Sequence, residues 1–345
     1  MTLDVLLVQP GFGARGGVTV DVMNLASGLE RRSQRARTAG TFAQLVRELR
    51  SPATTLVHVF GCLPSPTIFG AIVLARLRQV PLVWTPIFNP IRRHTWKGYG
   101  LLRAMKAFDT VAPHAARFAD AVVAATPGEA RFFAELGARR VELIPPGVDP
   151  PAAPAGARAL ATFRAALGLG PGPLVLTVGR DNSRKALPFG LAAFAELRTR
   201  LPEAELLLVG PDASYPGGAQ DGVSCPGWLD DESMALAYQA ADVLFVPSLY
   251  EGLPRAVVEA WRWRTPVVAT DRVALAATID GVGGRVVPYG NVGDAASALA
   301  ALLREPDARR AFGDGGRRLV ESSFLMPALV DRTVELYEDL VADSA

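Results

Sequence analysis

The sequence predicts two doubly wound α/β domains in tandem, and three observations predict it. Short, near-continuous apolar runs alternate with segments of helical length, once over the amino-terminal half and again over the carboxy-terminal half. A Pro/Ala-rich stretch from Pro150 to Gly156 separates the two series. The chain has 345 residues, half of them hydrophobic, which is enough for two cores at about 100–200 residues per domain.

In the first series the strands are DVLLVQ (4–9), TLVHVFG (55–61), PLVWTP (81–86), AVVAAT (121–126) and VELIPPG (141–147). Unbroken apolar runs of this length suit strands buried on both faces, as in a parallel sheet covered by helices. The second series reads PLVLTVG (173–179), AELLLVG (204–210), ADVLFVPS (241–248), TPVVATD (265–271) and GRVVP (284–288). A last helix is expected from about Ala328 to Val341, with Val330, Val334, Leu336, Tyr337 and Leu340 on its apolar face. Ligands of such sheets bind at the strand C-termini, so a site is expected there.

Composition excludes several classes. No apolar run approaches the roughly 18 residues of a membrane span. The start, MTLDVLLVQPG, reads as a first strand and not as a signal peptide. Cys62 and Cys225 fall in different halves without metal-ligand spacing, which suits a reducing, cytoplasmic setting. Net charge is +2, unevenly spread: residues 1–150 hold 18 Lys+Arg against 10 Asp+Glu, and residues 151–345 hold 18 against 24. A basic first half suggests an anionic partner, either a phosphorylated or lipid-linked molecule or a membrane surface. Only Lys97, Lys106 and Lys185 are lysines, so a lysine's position is more informative here than an arginine's.

The densest motif is PSLYEGLPRAVVEAWRWRTPVVATD, from Pro247 to Asp271. Glu251 precedes a turn made by Gly252, Leu253 and Pro254, and an apolar helical run leads to Glu259. Eight residues are about two helical turns, so both carboxylates can face one pocket. Free N–H groups at the helix start offer an anion site beside them. Carboxylates for hydroxyls next to amides for phosphate are what a nucleotide-sugar site needs.

This segment resembles the donor-site signature of glycosyltransferase family 4, retaining enzymes of the GT-B fold. The resemblance implies two Rossmann-like domains facing each other across a cleft: an acceptor domain over 1–150, a nucleotide-sugar donor domain over 151–325, and a tail over 326–345 packing back on the first. Pro254 stands where the family has a second glycine and removes one N–H; Arg255 beside it can substitute its side chain. The loop GRDNSRK resembles the family's G-R-x-x-x-x-K, with Gly179, Arg180 and Lys185 in register. The resemblance implies that Arg180 and Lys185 hold the donor diphosphate, Glu251 the sugar hydroxyls and Glu259 the ribose. CPGWLDDE resembles the segment near the nucleotide base, which brings in Trp228 or Leu229.

QPGFGARGG contains Gly11-x-Gly13-x-x-Gly16, which fits a dinucleotide fingerprint. Against a nicotinamide site, no strand ending in Asp or Glu is visible about 20 residues on, where the chain reads ERRSQRARTAG. The family also carries a glycine pair here, matched by Gly16 and Gly17, which implies close backbone approach to the donor. A tight turn is the third reading. In WTPIFNPIRRHTWKGYG, Ile87 stands where many members have histidine, leaving Asn89 and His94 as acceptor-side candidates. Basic and apolar residues interleave over 91–108, which suits peripheral contact with an anionic membrane. Asp230-Asp231-Glu232 reads as an N-cap with an acidic first turn.

The expected activity is therefore transfer of a sugar from a UDP- or GDP-sugar to a hydroxyl acceptor, in glycan, glycolipid or natural-product glycoside synthesis. No metal, cofactor or nucleic acid is expected to take part. A nucleotide-sugar epimerase and a non-catalytic nucleotide-sugar-binding subunit are the alternatives.

Overall fold

The computed structural model describes residues 2–12, 16–61, 65–86 and 112–344. They form two compact units: 1–147 with 326–345, and 148–325.

The first unit is built on six parallel strands: β1 (Asp4–Val8), β2 (Arg35–Ala39), β3 (Leu56–Phe60), β4 (Leu82–Thr85), β5 (Ala121–Ala124) and β6 (Val141–Leu143). Their spatial order is β2-β1-β3-β4-β5-β6, so the order reverses between β1 and β3. Its helices are α1 (Gly17–Arg31), α2 (Phe42–Leu49), α3 (Pro66–Leu77), α4 (Pro127–Glu135) and, after the second unit, α12 (Met326–Ala342). Alternation along β1 divides its side chains between two cores. Leu3, Val5 and Leu7 join one face, Leu6 and Val8 the other.

β2 corrects the sequence reading. Its sequence RARTA is half-exposed along most of its length and carries no apolar run. It holds the sheet edge through full register with β1, from Asp4↔Arg35 to Val8↔Ala39. Arg37 anchors it, donating to Asp4 Oδ1 from Nε at 2.8 Å and to Glu48 Oε2 at 2.9 Å. The strand ends at Ala39 before Gly40, without a terminal carboxylate.

α12 covers the same face of this sheet as α1, burying Met326, Leu329, Val330, Leu336, Tyr337 and Leu340. Contact with α1 is close at Gly28, where a Cβ would fall 2.5 Å from Val330 Cγ2. The Tyr337 hydroxyl lies 2.5 Å from His58 Nδ1, and His58 Nε2 lies 2.7 Å from Thr85 Oγ1. Burial drives the His58 pKa down to about 3, so the ring is neutral and can hold both contacts.

The second unit also has six parallel strands: β7 (Leu174–Val178), β8 (Glu205–Val209), β9 (Val223–Gly227), β10 (Val243–Val246), β11 (Val267–Thr270) and β12 (Gly284–Val287). Their order is β12-β11-β10-β7-β8-β9, and it reverses between β7 and β10. The helices are α5 (Ala157–Ala166), α6 (Leu187–Arg198), α7 (Asp231–Ala240), α8 (Arg255–Arg262), α9 (Ala276–Ile279), α10 (Val292–Arg304) and α11 (Pro306–Leu319). Here the sequence reading lacks β9, an edge strand with a partly exposed VSCPG sequence and a register shift against β8.

The break between the units falls at Gly147, three residues before the expected boundary at 150. Val148 already belongs to the second unit, donating its N–H to Phe324 O at 2.9 Å. The Pro/Ala stretch is likewise attached to it: Pro150 O accepts from Arg262 Nη2 at 3.0 Å, and Ala155 N donates to Gln239 Oε1 at 2.7 Å.

Candidate functional site

The site is built where the second sheet reverses. β7 and β10 are neighbours, with Val175 opposite Val243 and Leu176 opposite Leu244. The chain leaves them in opposite directions across the sheet, which opens a crevice at their C-terminal ends. Two loops rim it: 179–186 after β7 and 247–254 after β10.

The first loop folds around its glycine. Gly179 N donates to Val209 O at 2.9 Å, and a Cβ there would fall 2.8 Å from Lys185 Cδ. Only a glycine lets the lysine stem lie across this backbone. Asn182 closes the turn, with its backbone oxygen and Oδ1 accepting from Lys185 N at 3.0 and 3.1 Å. Ala186 takes left-handed geometry (φ 47) to enter α6, which has no side-chain cap. Pro188 carries no N–H, and the N–H groups of Phe189 and Gly190 turn back to Ala186 O at 3.0 and 3.2 Å, so the helix start offers at most the Leu187 N–H to an anion.

The second loop is tied to the first and to the loop after β11. Leu249 N donates to Arg184 O at 2.8 Å, Glu251 N to Arg272 O at 3.2 Å, and Ala274 N to Glu251 O at 2.8 Å. Glu251 is buried. Lys185 Nζ sits 2.7 Å from its Oε1, with Arg184 Nε at 3.8 Å. Oε1 receives no aligned hydrogen bond, so the contact is chiefly electrostatic. The two sequence candidates thus meet directly. Gly252 and Leu253 complete the turn, and Pro254 occupies the N-cap position of α8 without a side-chain cap.

α8 begins at Arg255, so Glu259 stands just over one turn inside it and not two turns as the sequence spacing suggests. Its partners differ from those of Glu251. Tyr238 on α7 donates its hydroxyl to Glu259 Oε2 at 2.7 Å, and Arg255 contributes Nε and Nη2 to Oε1, each at 3.1 Å. Arg255, expected to replace a lost backbone donor, is thus engaged by Glu259. Burial and the neighbouring carboxylate raise the Tyr238 pKa well above the usual phenol range, so this group stays a donor. Sequence reasoning missed Tyr238; within LAYQAADV it reads only as an apolar core position.

Arg180 pairs with neither glutamate. Its guanidinium carbon lies 5.8 Å from the centroid of the Trp228 ring, within cation–π range. Trp228, just after β9, is 44% exposed, enough free face for a second planar group. Asp230 caps α7 by accepting from Ser233 N at 2.8 Å, as its sequence context predicts. Among the described residues no cluster of three or more His, Cys, Asp or Glu is arranged to hold a metal.

In the first unit Gly16 is the N-cap of α1 and Gly17 its first residue, with extended backbone at Gly16 and no side-chain cap. Gly13, Ile87, Asn89, His94 and the stretch 91–108 lie outside the described residues.

Two parallel-stranded units, each doubly wound, with a Lys–Glu contact at the switch point of the second, define a GT-B protein. The solved structures agree in fold. The chain resembles sucrose-phosphate synthase from Thermosynechococcus elongatus with a TM-score of 0.77 at 22% identity, over 99% of this chain and 100% of that one. HepE from Anabaena in complex with UDP-glucose gives a TM-score of 0.77 at 16% identity, over 98% of this chain and 100% of that one. Residues 5–147 match the family model "Glycosyl transferase 4-like domain", and residues 172–305 match "Glycosyl transferases group 1". The chain belongs to glycosyltransferase family 4. Among curated relatives, a D-inositol 3-phosphate glycosyltransferase from Nocardia farcinica is 38% identical over 215 residues, 56% of this chain and 47% of the relative. The chain spans about half the length of the curated relatives it first matches.

Proposed function

We propose that this protein transfers a sugar from a UDP- or GDP-sugar to a hydroxyl acceptor with retention of anomeric configuration. The observation that carries the reading is the 2.7 Å contact of Lys185 with Glu251 at the β7/β10 switch point. Lys185 and Arg180 hold the diphosphate and stabilise the charge that develops on it as the glycosidic bond breaks. Donors fixed in place before the reaction cost no reorganisation at the transition state. Glu251 accepts from sugar hydroxyls, and its backbone N–H and oxygen are both tied to the loop after β11. Glu259 accepts from the ribose. The leaving phosphate takes the acceptor proton, so no enzymatic base is needed. With two cationic side chains in place of a divalent ion, transfer requires no metal and survives chelation.

The acceptor belongs to the first unit. A phosphorylated or lipid-linked polyol fits the arginine-rich first half, and the Nocardia farcinica relative carries D-inositol 3-phosphate in its name. Among the described residues no helix is long and apolar enough to cross a membrane. Action on the cytoplasmic side, as a peripheral protein where the acceptor is a lipid, completes the reading.

Thermal unfolding with saturating UDP, GDP, ADP, NAD and NADP tests it. A ligand at 100 times its Kd stabilises by about 2.7 kcal/mol. A shift with UDP or GDP alone supports the reading and selects the donor. A shift with NAD or NADP alone overturns it.

A further inference from the structure

Tyr238 sets how Glu259 can be used. Its ring is 2% exposed, and Thr265 Oγ1 donates to its backbone oxygen at 2.6 Å. The phenol is therefore fixed at both ends, and its hydroxyl meets Glu259 Oε2 at 2.7 Å. Arg255 approaches the other oxygen from one turn earlier on α8.

An ionised carboxylate offers about four lone-pair sites. Tyr238 occupies one on Oε2, and Arg255 takes one on Oε1 through the hydrogen bond from Nε, with Nη2 in ion-pair range of the same oxygen. That leaves one on each oxygen, on a side chain that is 28% exposed. Two adjacent acceptor sites, one per oxygen, match the two hydroxyls of a vicinal diol. Without Tyr238 the carboxylate is free to rotate about its last bond, and both oxygens turn toward the Arg255 guanidinium, the strongest donor in reach.

We propose that Tyr238 is a positioning residue for the donor: its hydroxyl holds the Glu259 carboxylate in the orientation that accepts both ribose hydroxyls of the nucleotide. The inference rests on the assignment of Glu259 to the ribose. A buried tyrosine that merely satisfies its own hydroxyl stabilises the fold equally whatever nucleotide is bound. A positioning tyrosine affects only ligands with ribose hydroxyls.

The test is calorimetric titration of wild type, Tyr238→Phe, Glu259→Gln and the double variant with UDP and GDP and with their 2′,3′-dideoxy counterparts. Loss of one charge-assisted hydrogen bond is worth roughly tenfold or more in affinity. Tyr238→Phe is expected to weaken the ribonucleotide about 10-fold and to leave the dideoxynucleotide unchanged. Adding Glu259→Gln should then cost less than it does alone. Ring-fluorinated tyrosine at 238, which keeps the shape and strengthens the donor, should likewise change only ribonucleotide affinity. Equal losses for both nucleotide types, or none in Tyr238→Phe while Glu259→Gln still weakens the ribonucleotide, overturn the role of Tyr238 and leave that of Glu259 standing. An unchanged Glu259→Gln removes the ribose assignment itself.

Discussion

Lys185 and Glu251 belong to loops that leave neighbouring strands in opposite directions, yet their charged groups lie 2.7 Å apart. The contact neutralises a buried carboxylate and at the same time places a cation at the mouth of two uncapped helices, α6 and α8. Lys185 is mostly shielded, with 17% of its side chain exposed, so solvent and salt screen the pair less than a surface ion pair. In the proposed reading, an incoming diphosphate finds the lysine already in place.

Removing the lysine should separate activity from folding. Lys185→Met is expected to reduce transfer at least about 100-fold, the effect of losing one preorganised electrostatic donor. It also leaves Glu251 buried without its cation, at a cost of about 1–3 kcal/mol. Lys185→Met with Glu251→Gln should regain most of that stability in urea unfolding while remaining inactive. Near-normal turnover in Lys185→Met would remove its assigned role.

Trp228 should act on binding and not on chemistry. Its free face and its contact with Arg180 place it beside the 179–186 loop. Trp228→Ala is expected to raise the donor KM several-fold with kcat nearly unchanged, the pattern for contacts made equally in ground and transition states. A fall in kcat at constant KM would contradict this. Steady-state kinetics over a donor series distinguishes the two.

Two buried groups of the first unit make stability depend on pH in opposite senses. Glu129, in the first turn of α4, is pushed up to about 7 by burial, against an ordinary 4.5. The native state therefore keeps a proton that the unfolded chain has released, and stability falls as pH rises from about 4.5 to 7. His58 is pushed down to about 3 from 6.5. Its unfolded form binds a proton first, so stability is lost as pH falls from 6.5 toward 3. Between 4.5 and 6.5 the two slopes oppose. Glu129→Gln should gain on wild type by about 3 kcal/mol on going from pH 4.5 to 7, measured by denaturant unfolding at each pH. A constant difference would contradict the burial of an ionisable Glu129.

Gly28 tests the attachment of the last helix. A methyl group there meets Val330 at 2.5 Å, closer than packed carbons tolerate. Gly28→Ala should destabilise by about 1–3 kcal/mol through overpacking, despite the higher helix propensity of alanine. Gly28→Ala with Val330→Ala should recover part of the loss. Additive losses in the double variant would mean that the helices do not meet there.

Much of the fold was legible because parallel strands buried on both faces have to be apolar throughout. The eight interior strands announce themselves in this way, and the edge strands β6 and β12 still carry a short apolar run that marks them. β2 and β9 do not, because an edge strand is half-solvated and is held by backbone pairing that any side chain permits. RARTA and VSCPG are strands through register with β1 and β8, not through composition. Gly179, Lys185, Glu251 and Glu259 were legible as a pattern because loops and helix starts at strand ends carry chemistry in local sequence.

The partners of those residues were not legible. Spacing in the chain placed Glu251 and Glu259 toward one pocket, whereas the fold gives Glu251 to Lys185 and Glu259 to Tyr238 and Arg255. By itself the sequence determined the two α/β series, their apolar cores and the residue types at the strand ends, since periodicity and turn chemistry act locally. Tertiary structure decided which strands adjoin, and so which loops face each other. Lys185 and Glu251 are 66 residues apart in the chain, and only the reversal of strand order between β7 and β10 brings their charges into contact.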